Sequence, residues 1–273
     1  VGGQVLNITV SVGVAEYPEA ATSALELINC AEIVMFKGKA MGKNRIQYFD
    51  TPILNDFLKN VELDSKLKEA VFENNFLLYY QPQYYAGNRK LRGVEALIRW
   101  NSGELGLIPP ADFIPLAEYL GLINPIGDFV LRKACEKCKY WNDMGHPEYK
   151  VNVNLSVVQL LQNDIVERIA RVIEETRITP QNLTLEVTES LAVNDMSRMK
   201  RILADIRHLG VRVALDDFGT GYSNLKNIGR LSSNTVKIDR SFTMQALKNE
   251  YEHKLLDHII DMIHSLNLKV VIE

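Results

Sequence analysis

The chain has 273 residues, 47% of them apolar and 24% charged, which is the composition of folded globular protein and length enough for one large domain, or one domain and part of another. A formal charge of -3 and a pI near 6.0, with Lys and Arg scattered along the chain, exclude the basic face that a nucleic-acid duplex demands. No apolar run approaches the roughly 18 residues of a membrane-spanning helix and no basic-then-apolar leader opens the chain, so no membrane contact is expected from this segment.

From Ile8 to Val14 apolar residues alternate with Thr9, Ser11 and Gly13, a period of two that predicts a strand. Ala24, Leu25, Leu27, Ile28, Ala31, Val34 and Met35 then recur at helical spacing, which predicts a helix over about 23–41, and Gly42 stops it before the apolar run 46–49. This is part of an α/β unit. A charged stretch over 53–72 places Leu54, Leu58, Val61, Leu67 and Val71 on one face of a connecting helix. The domain boundary is expected near Asp50 to Asn55, dividing the chain into 1–50 and 51–273.

Beyond residue 75, short apolar runs at 77–80, 94–98, 151–155, 183–187, 211–215, 235–238 and 268–272 are separated by helical patterns over 111–119, 126–142, 157–176, 197–209 and 252–266. Such β/α alternation predicts parallel strands with crossover helices: a (β/α)8 TIM-like barrel that stops after its seventh strand, with a doubly wound sheet as the alternative. The chain opens on Val1 rather than Met and stops at Glu273 directly after its last apolar run, so truncation at both ends is expected. An unclosed barrel exposes sheet edges, which invites a homodimer.

Cys30, Cys135 and Cys138 are too few for a disulfide framework and fit a reducing, cytoplasmic compartment, although a membrane-tethered parent protein stays compatible. Cys135 and Cys138 form a C-x-x-C inside a helical pattern with no second Cys or His pair at ligand spacing, which favours structural thiols over a zinc or redox site.

Chemically capable residues recur at the same place on successive strands. Glu95 lies in the second run, Asn154 near the end of the third, Glu186 with Glu189 on the fourth, Asp216 with Asp217 on the fifth, Lys237 with Asp239 on the sixth, and Glu273 after the seventh. In a β/α barrel these ends meet at one mouth, where active sites form. Any one such acid is ordinarily a turn former or helix cap, but recurrence on six strands calls for a common cause. Converging carboxylates raise one another's pKa unless a cation neutralises them, and oxygen ligands without Cys or His suit Mg2+ or Mn2+. An Asp-Asp pair could bridge two ions, which together clamp the attacking and leaving oxygens of a phosphodiester hydrolysis. Lys237 could add positive charge near the water or phosphate, and Glu273 could take a proton. Gly219 and Gly221 give the stretch after the acidic pair the backbone freedom of a functional loop, while the missing third glycine sets aside a dinucleotide fingerprint.

These residues also stand in recognisable motifs. Glu95-Ala96-Leu97-Ile98-Arg99-Trp100 resembles the signature of EAL-domain cyclic-di-GMP phosphodiesterases. The family's order continues in Tyr80-Gln81-Pro82, the F-I-P-L-A-E run of 113–118, Asn154-Leu155-Ser156, the E-V-T-E of 186–189, the D-D-F-G-T-G-Y of 216–222 and Lys237-Ile238-Asp239. The resemblance implies a barrel hydrolase that opens one phosphodiester of cyclic-di-GMP to linear pGpG with Mg2+ or Mn2+. It implies that Glu95, Asn154, Glu186 and Asp216 bind one ion, that Asp216 and Asp217 serve a second, and that Lys237 and Glu273 act on the water. Glu189 would steady the loop at 216–222, and Gln81, Leu97 and Arg99 would face the dinucleotide. A non-catalytic cyclic-di-GMP receptor and an enolase-type enzyme with a lysine base are the alternatives. Residues 8–15 and 31–45 resemble the C-terminal end of a GGDEF domain, with Glu32, Val34, Phe36 and Gly38 replacing its commoner residues; its signature loop would lie upstream, so no cyclase activity is expected here.

Overall fold

The computed structural model describes residues 9–21, 23–24, 27–28, 30–32, 34–35, 44–50, 63–73, 75–188, 196–219 and 233–273. The chain divides into two compact units, 1–69 and 70–273.

In the first unit, β1 (Val12–Val14) and β2 (Ile46–Tyr48) pair in parallel, and the described residues between 24 and 35 include helical turns. The connection is therefore a β-helix-β crossover, the form a parallel pair requires. A Cβ on Gly13 would lie 1.9 Å from the carbonyl oxygen of Ala31, so the helix approaches β1 at a distance only glycine permits.

The second unit is built on one sheet: β3 (Phe76–Tyr84), β4 (Leu91–Asn101), a short β5 (Leu107–Ile108) on the end of β4, β6 (Lys150–Asn154), β7 (Leu183–Thr188), β8 (Arg212–Phe218), β9 (Thr235–Ile238) and β10 (Lys269–Ile272). The spatial order is β10-β9-β8-β7-β6-β4-β3. Along the path β4-β6-β7-β8-β9-β10 every neighbour is parallel, as predicted, while the short β5 pairs antiparallel with β4. β3 departs from prediction, because it pairs antiparallel with β4 through a hairpin over 85–90. Only six residues separate the two strands, too few for the dozen or more that a parallel crossover needs. The register slips between Gln83 and Tyr84 and leaves Arg92 as an extra residue in β4, a β-bulge.

Helices α1 (Pro110–Tyr119), α2 (Ile123–Asp143), α3 (Val157–Leu160), α4 (Ile165–Thr176), α5 (Met196–His208), α6 (Arg240–Ala246) and α7 (Glu250–Ser265) connect the strands. The single helix expected over 157–176 is two, α3 and α4, and α6 was not anticipated; Asn249 caps α7 by accepting from the Tyr251 amide at 2.9 Å. The outward-facing strand residues Val94, Ala96, Trp100, Val151, Val153, Leu183, Leu185, Val213, Val236 and Ile238 are all buried. Trp100 meets Phe113 of α1 edge to face at 5.7 Å, and Phe76 packs on Phe113 and Phe129. Cys135 and Cys138 turn into this helix layer of α2, where burial pushes the thiols up to about 12 and about 11.

The sheet must curl. Lys237 on β9 is hydrogen-bonded to Glu95 on β4, although β6, β7 and β8 lie between them in the order. Side chains four strands apart touch only inside a barrel-like curve. Gly93 sets how closely that curve closes at one seam: a Cβ there would sit 2.3 Å from the Lys150 carbonyl oxygen of β6. Gly93→Ala should therefore lower unfolding stability by about 1–3 kcal/mol, the usual size of overpacking. A urea melt of the variant with an unchanged midpoint would show that the β4–β6 seam tolerates the methyl group.

Candidate active site at the strand ends

Alternation along each strand sends odd-numbered residues of β4, β7's Thr184, Glu186 and Thr188, and their counterparts on the other strands toward the inside of the curve. Five of these side chains converge. The Lys237 ammonium lies 3.0 Å from Glu95 Oε2, 2.8 Å from Glu186 Oε2, 3.1 Å from both carboxylate oxygens of Asp216 and 2.7 Å from Glu273 Oε1. Lys237 and Glu186 are each 1% exposed, with Glu95 and Asp216 buried beside them.

One ammonium among four carboxylates leaves surplus negative charge in a region poor in water, and the proton affinities record it. Burial pushes the Glu186 carboxyl up to about 8, with the charges of Glu95 and Asp216 adding to the rise and Lys237 opposing it. Burial also raises Glu273, against the hydrogen bond from Lys237. For Lys237, burial alone would favour the neutral amine, but the carboxylates of Glu186, Asp216 and Glu95 outweigh it and hold the ammonium charged far above the ordinary lysine range.

The rim above this floor is open to solvent, with Asn154, Asp217 and Glu273 all exposed. Asn154, the last residue of β6, donates from Nδ2 to Glu95 Oε1 at 2.8 Å. The turn after it is fixed by Ser156, which caps α3 in a capping box with Gln159 and donates its hydroxyl to Glu118 Oε1 on α1 at 2.7 Å. Between β8 and β9 the register breaks from Leu215 to Phe218, and Asp217 adopts a left-handed backbone with φ of 57°. Alternation from Arg212 and Ala214 already sends Asp216 into the cluster; the bulge carries Asp217 to the exposed edge, where its amide donates to Asp216 Oδ1 at 2.9 Å. Burial and the charges of Asp216 and Asp239 raise the Asp217 pKa. Asp239, grouped with Lys237 by sequence position, is a helix cap instead: it accepts from the Ser241 amide at 2.8 Å at the start of α6, and its hydrogen bonds to Ser241 lower its pKa.

Of the substrate-facing candidates, Gln81 stands opposite Glu95 in the β3–β4 register and is exposed. Leu97 and Arg99 follow Glu95 on the same face of β4, with the Arg99 guanidinium 5.4 Å from the Tyr79 ring centroid. Glu189 and the loop residues 220–222 lie outside the described residues. Sequence reasoning missed Asn152, Gln83 and Arg92. Asn152 donates from Nδ2 to Glu186 Oε1 at 2.6 Å and lies 3.3 Å from Gln83 Oε1, which accepts from Arg92 at 2.7 Å. The signal was there: Asn152 and Asn154 alternate with Val151 and Val153 in a strand otherwise expected to be apolar.

Glu95, Glu186 and Asp216 each offer an oxygen within 4.8 Å of the others, and all three are buried. An all-oxygen set of three buried carboxylates fits a hard divalent cation, which these three residues would hold.

A curled parallel sheet with a lysine-centred carboxylate cluster at its strand ends defines a β/α-barrel protein with an acidic, cation-competent mouth. The chain belongs to the EAL domain family, which matches residues 64–273. It is 35% identical over 268 residues to the bifunctional diguanylate cyclase/cyclic di-GMP phosphodiesterase MucR of Pseudomonas aeruginosa, covering 98% of this chain and 39% of that protein. It is 34% identical over 271 residues to the cyclic di-GMP phosphodiesterase NbdA of the same organism, covering 99% and 35%. The solved phosphodiesterase domain PaMucR in complex with c-di-GMP superposes with a TM-score of 0.73 at 38% identity, covering 77% of this chain and 85% of that one. The chain thus spans little more than a third of the length of these curated relatives.

Two outcomes follow from this geometry. Lys237→Met leaves buried carboxylates without their counter-charge and should cost about 3–5 kcal/mol of stability at neutral pH; a guanidinium melt within 1 kcal/mol of the parent would contradict the central role of this ammonium. Asn152→Leu removes a donor from Glu186 and should weaken Mn2+ binding about 10-fold or more, as measured by calorimetry, without changing the circular dichroism spectrum.

Proposed function

We propose that this chain is the hydrolase part of a cyclic-di-GMP phosphodiesterase that opens one phosphodiester to give linear pGpG. The observation that carries the reading is the convergence of Glu95, Glu186 and Asp216 around Lys237 at the strand ends, in a chain of the EAL family. The names of MucR and NbdA, and the c-di-GMP bound to PaMucR, supply the substrate class. Glu95, Asn154, Glu186 and Asp216 form one cation site in this reading, and Asp217, beside Asp216 on the rim, extends it toward a second, with Mg2+ or Mn2+ as the ions. A bound divalent cation supplies Lewis-acid polarisation of a phosphoryl oxygen and a water that ionises near neutral pH.

The chain's own residues do the rest. The water oxygen bonds to phosphorus as the bond from phosphorus to the ribose 3′ oxygen breaks, and the departing oxygen takes up a proton. Glu273, on the exposed rim with a raised pKa, accepts the proton lost by the water. Lys237 holds its positive charge at the floor and keeps the carboxylates convergent. Gln81, Leu97 and Arg99 line the face along which the dinucleotide lies, and Glu189 steadies the segment after Asp217. In the first unit, the parallel β-helix-β arrangement supports reading residues 1–50 as the C-terminal end of a GGDEF domain.

The test is incubation with cyclic-di-GMP and Mg2+ or Mn2+, with pGpG followed by chromatography. EDTA should abolish product formation, and Glu95→Ala should lower the rate about 100-fold or more, a loss of ~2.7 kcal/mol in transition-state stabilisation. Binding without product under both metals would leave a cyclic-di-GMP receptor, and activity surviving Glu95→Ala would refute the ligand assignment.

A further inference from the structure

The opposite end of the strands carries the opposite charge. Lys150, Arg212 and Lys269 are the first residues of β6, β8 and β10, and Arg92 is the bulge residue near the start of β4. Lys150 shares its face with Asn152 and Asn154, Arg212 with Ala214 and Asp216, and Lys269 with Val271 and Glu273, so all three belong to the inner face that carries the carboxylates at the other end. β6, β8 and β10 alternate around the curve, and inward side chains of alternate strands make up one layer of a β/α barrel. Arg92, 7% exposed, reaches the same interior and donates to Gln83 Oε1 at 2.7 Å.

No acid balances this layer: among the described residues none of the four cations forms an ion pair with a carboxylate. Arg212 and Arg92 act on both Lys150 and Lys269, and together with burial they lower the pKa of each. An exposed lysine at a strand start is ordinarily a solvated charge, but one buried group in the layer does not fit that reading. Thr184 is the register partner of Arg212 and of Asn152. It is 1% exposed with no hydrogen-bond partner for its hydroxyl. A buried hydroxyl donor at the level of cations that lack acidic partners is what an oxyanion would satisfy.

We propose that the N-terminal end of the barrel is an anion site, in which Lys150, Arg212, Lys269 and Arg92 with the Thr184 hydroxyl bind a phosphate-type oxyanion, free or as the terminal monoester of a nucleotide. The site is separate from the acidic mouth, whose charge repels the same ligand. It is also connected to it, because Arg92, Gln83, Asn152 and Glu186 form one hydrogen-bonded chain along the interior.

The test is thermal unfolding of the protein in EDTA, with inorganic phosphate in one arm, GMP in a second and sodium chloride of equal ionic strength in a third. Phosphate should raise Tm saturably above the chloride arm. A matching rise in GMP identifies a monoester-accepting site, and a rise with phosphate alone identifies a free-anion site. Lys269→Met, at an exposed position, should weaken the apparent phosphate affinity ~10-fold, the size of one charge-assisted hydrogen bond. Thr184→Val should weaken it as well, while both variants keep the parent's Mn2+ affinity. Equal Tm in phosphate and chloride, or an unchanged phosphate response in Lys269→Met and Thr184→Val, would overturn the proposal.

Discussion

The buried ammonium of Lys237 is the constraint on which this molecule turns. An ion of that size loses several kcal/mol of hydration on entering the interior, and only close, well-directed carboxylates return it. Those carboxylates come from β4, β7, β8 and the end of β10, so satisfying one lysine draws four strands around a common axis. The cluster holds more carboxylates than cations, however, and burial, with the charges of Glu95 and Asp216 adding to it, raises Glu186 to about 8. Lysine alone therefore organises the mouth without neutralising it. The remaining charge is what makes the site competent for a divalent cation.

Polarity along the strands extends the same logic. Parallel strands covered by helices on one face and filled by side chains on the other are ordinarily apolar on both. Here the outer face is apolar and the inner face is Glu95, Asn152, Thr184, Glu186, Thr235 and Lys237, nearly all of them buried. Buried polar groups of this kind are stable only when bonded to one another, and the run from Arg92 through Gln83 and Asn152 to Glu186 shows how. The interior is thus a polar axis, cationic at one end and anionic at the other.

Most of this architecture was legible in the residues. The β/α alternation located all seven strands of the main path, because buried strands leave compact apolar runs between amphipathic helices. The residues that meet at Lys237 were legible too, since strand-end position and topology together determine convergence. Three features were not. The antiparallel direction of β3 depends on a six-residue hairpin whose turn, Ala86-Gly87-Asn88, lies between runs whose apolar pattern does not distinguish parallel from antiparallel pairing. Asp239 looked like a site acid because capping and ligation place the same residue type just after a strand. Asn152 sits in the middle of β6, away from the strand end that topology singles out, although its alternation with valines marks it as facing the polar axis.

The bulge at Asp216 and Asp217 shows why position in the sequence is not enough. In an unbroken strand, adjacent aspartates point to opposite faces, and one of them would have to enter the apolar layer that holds Phe218, Val236 and Ile238. The register break between Leu215 and Phe218 removes that conflict: it spends one residue in a left-handed turn at Asp217, keeps Phe218 in the core, and leaves Asp216 on Lys237 with Asp217 at the rim. Left-handed backbone is disfavoured for most side chains but is tolerated by aspartate better than by branched or bulky residues. Gly219, next in the chain with φ of 103°, lets the backbone continue out of the turn. The acidic pair followed by Phe and Gly is therefore a single geometric device, in which each residue type is set by the conformation its neighbour requires.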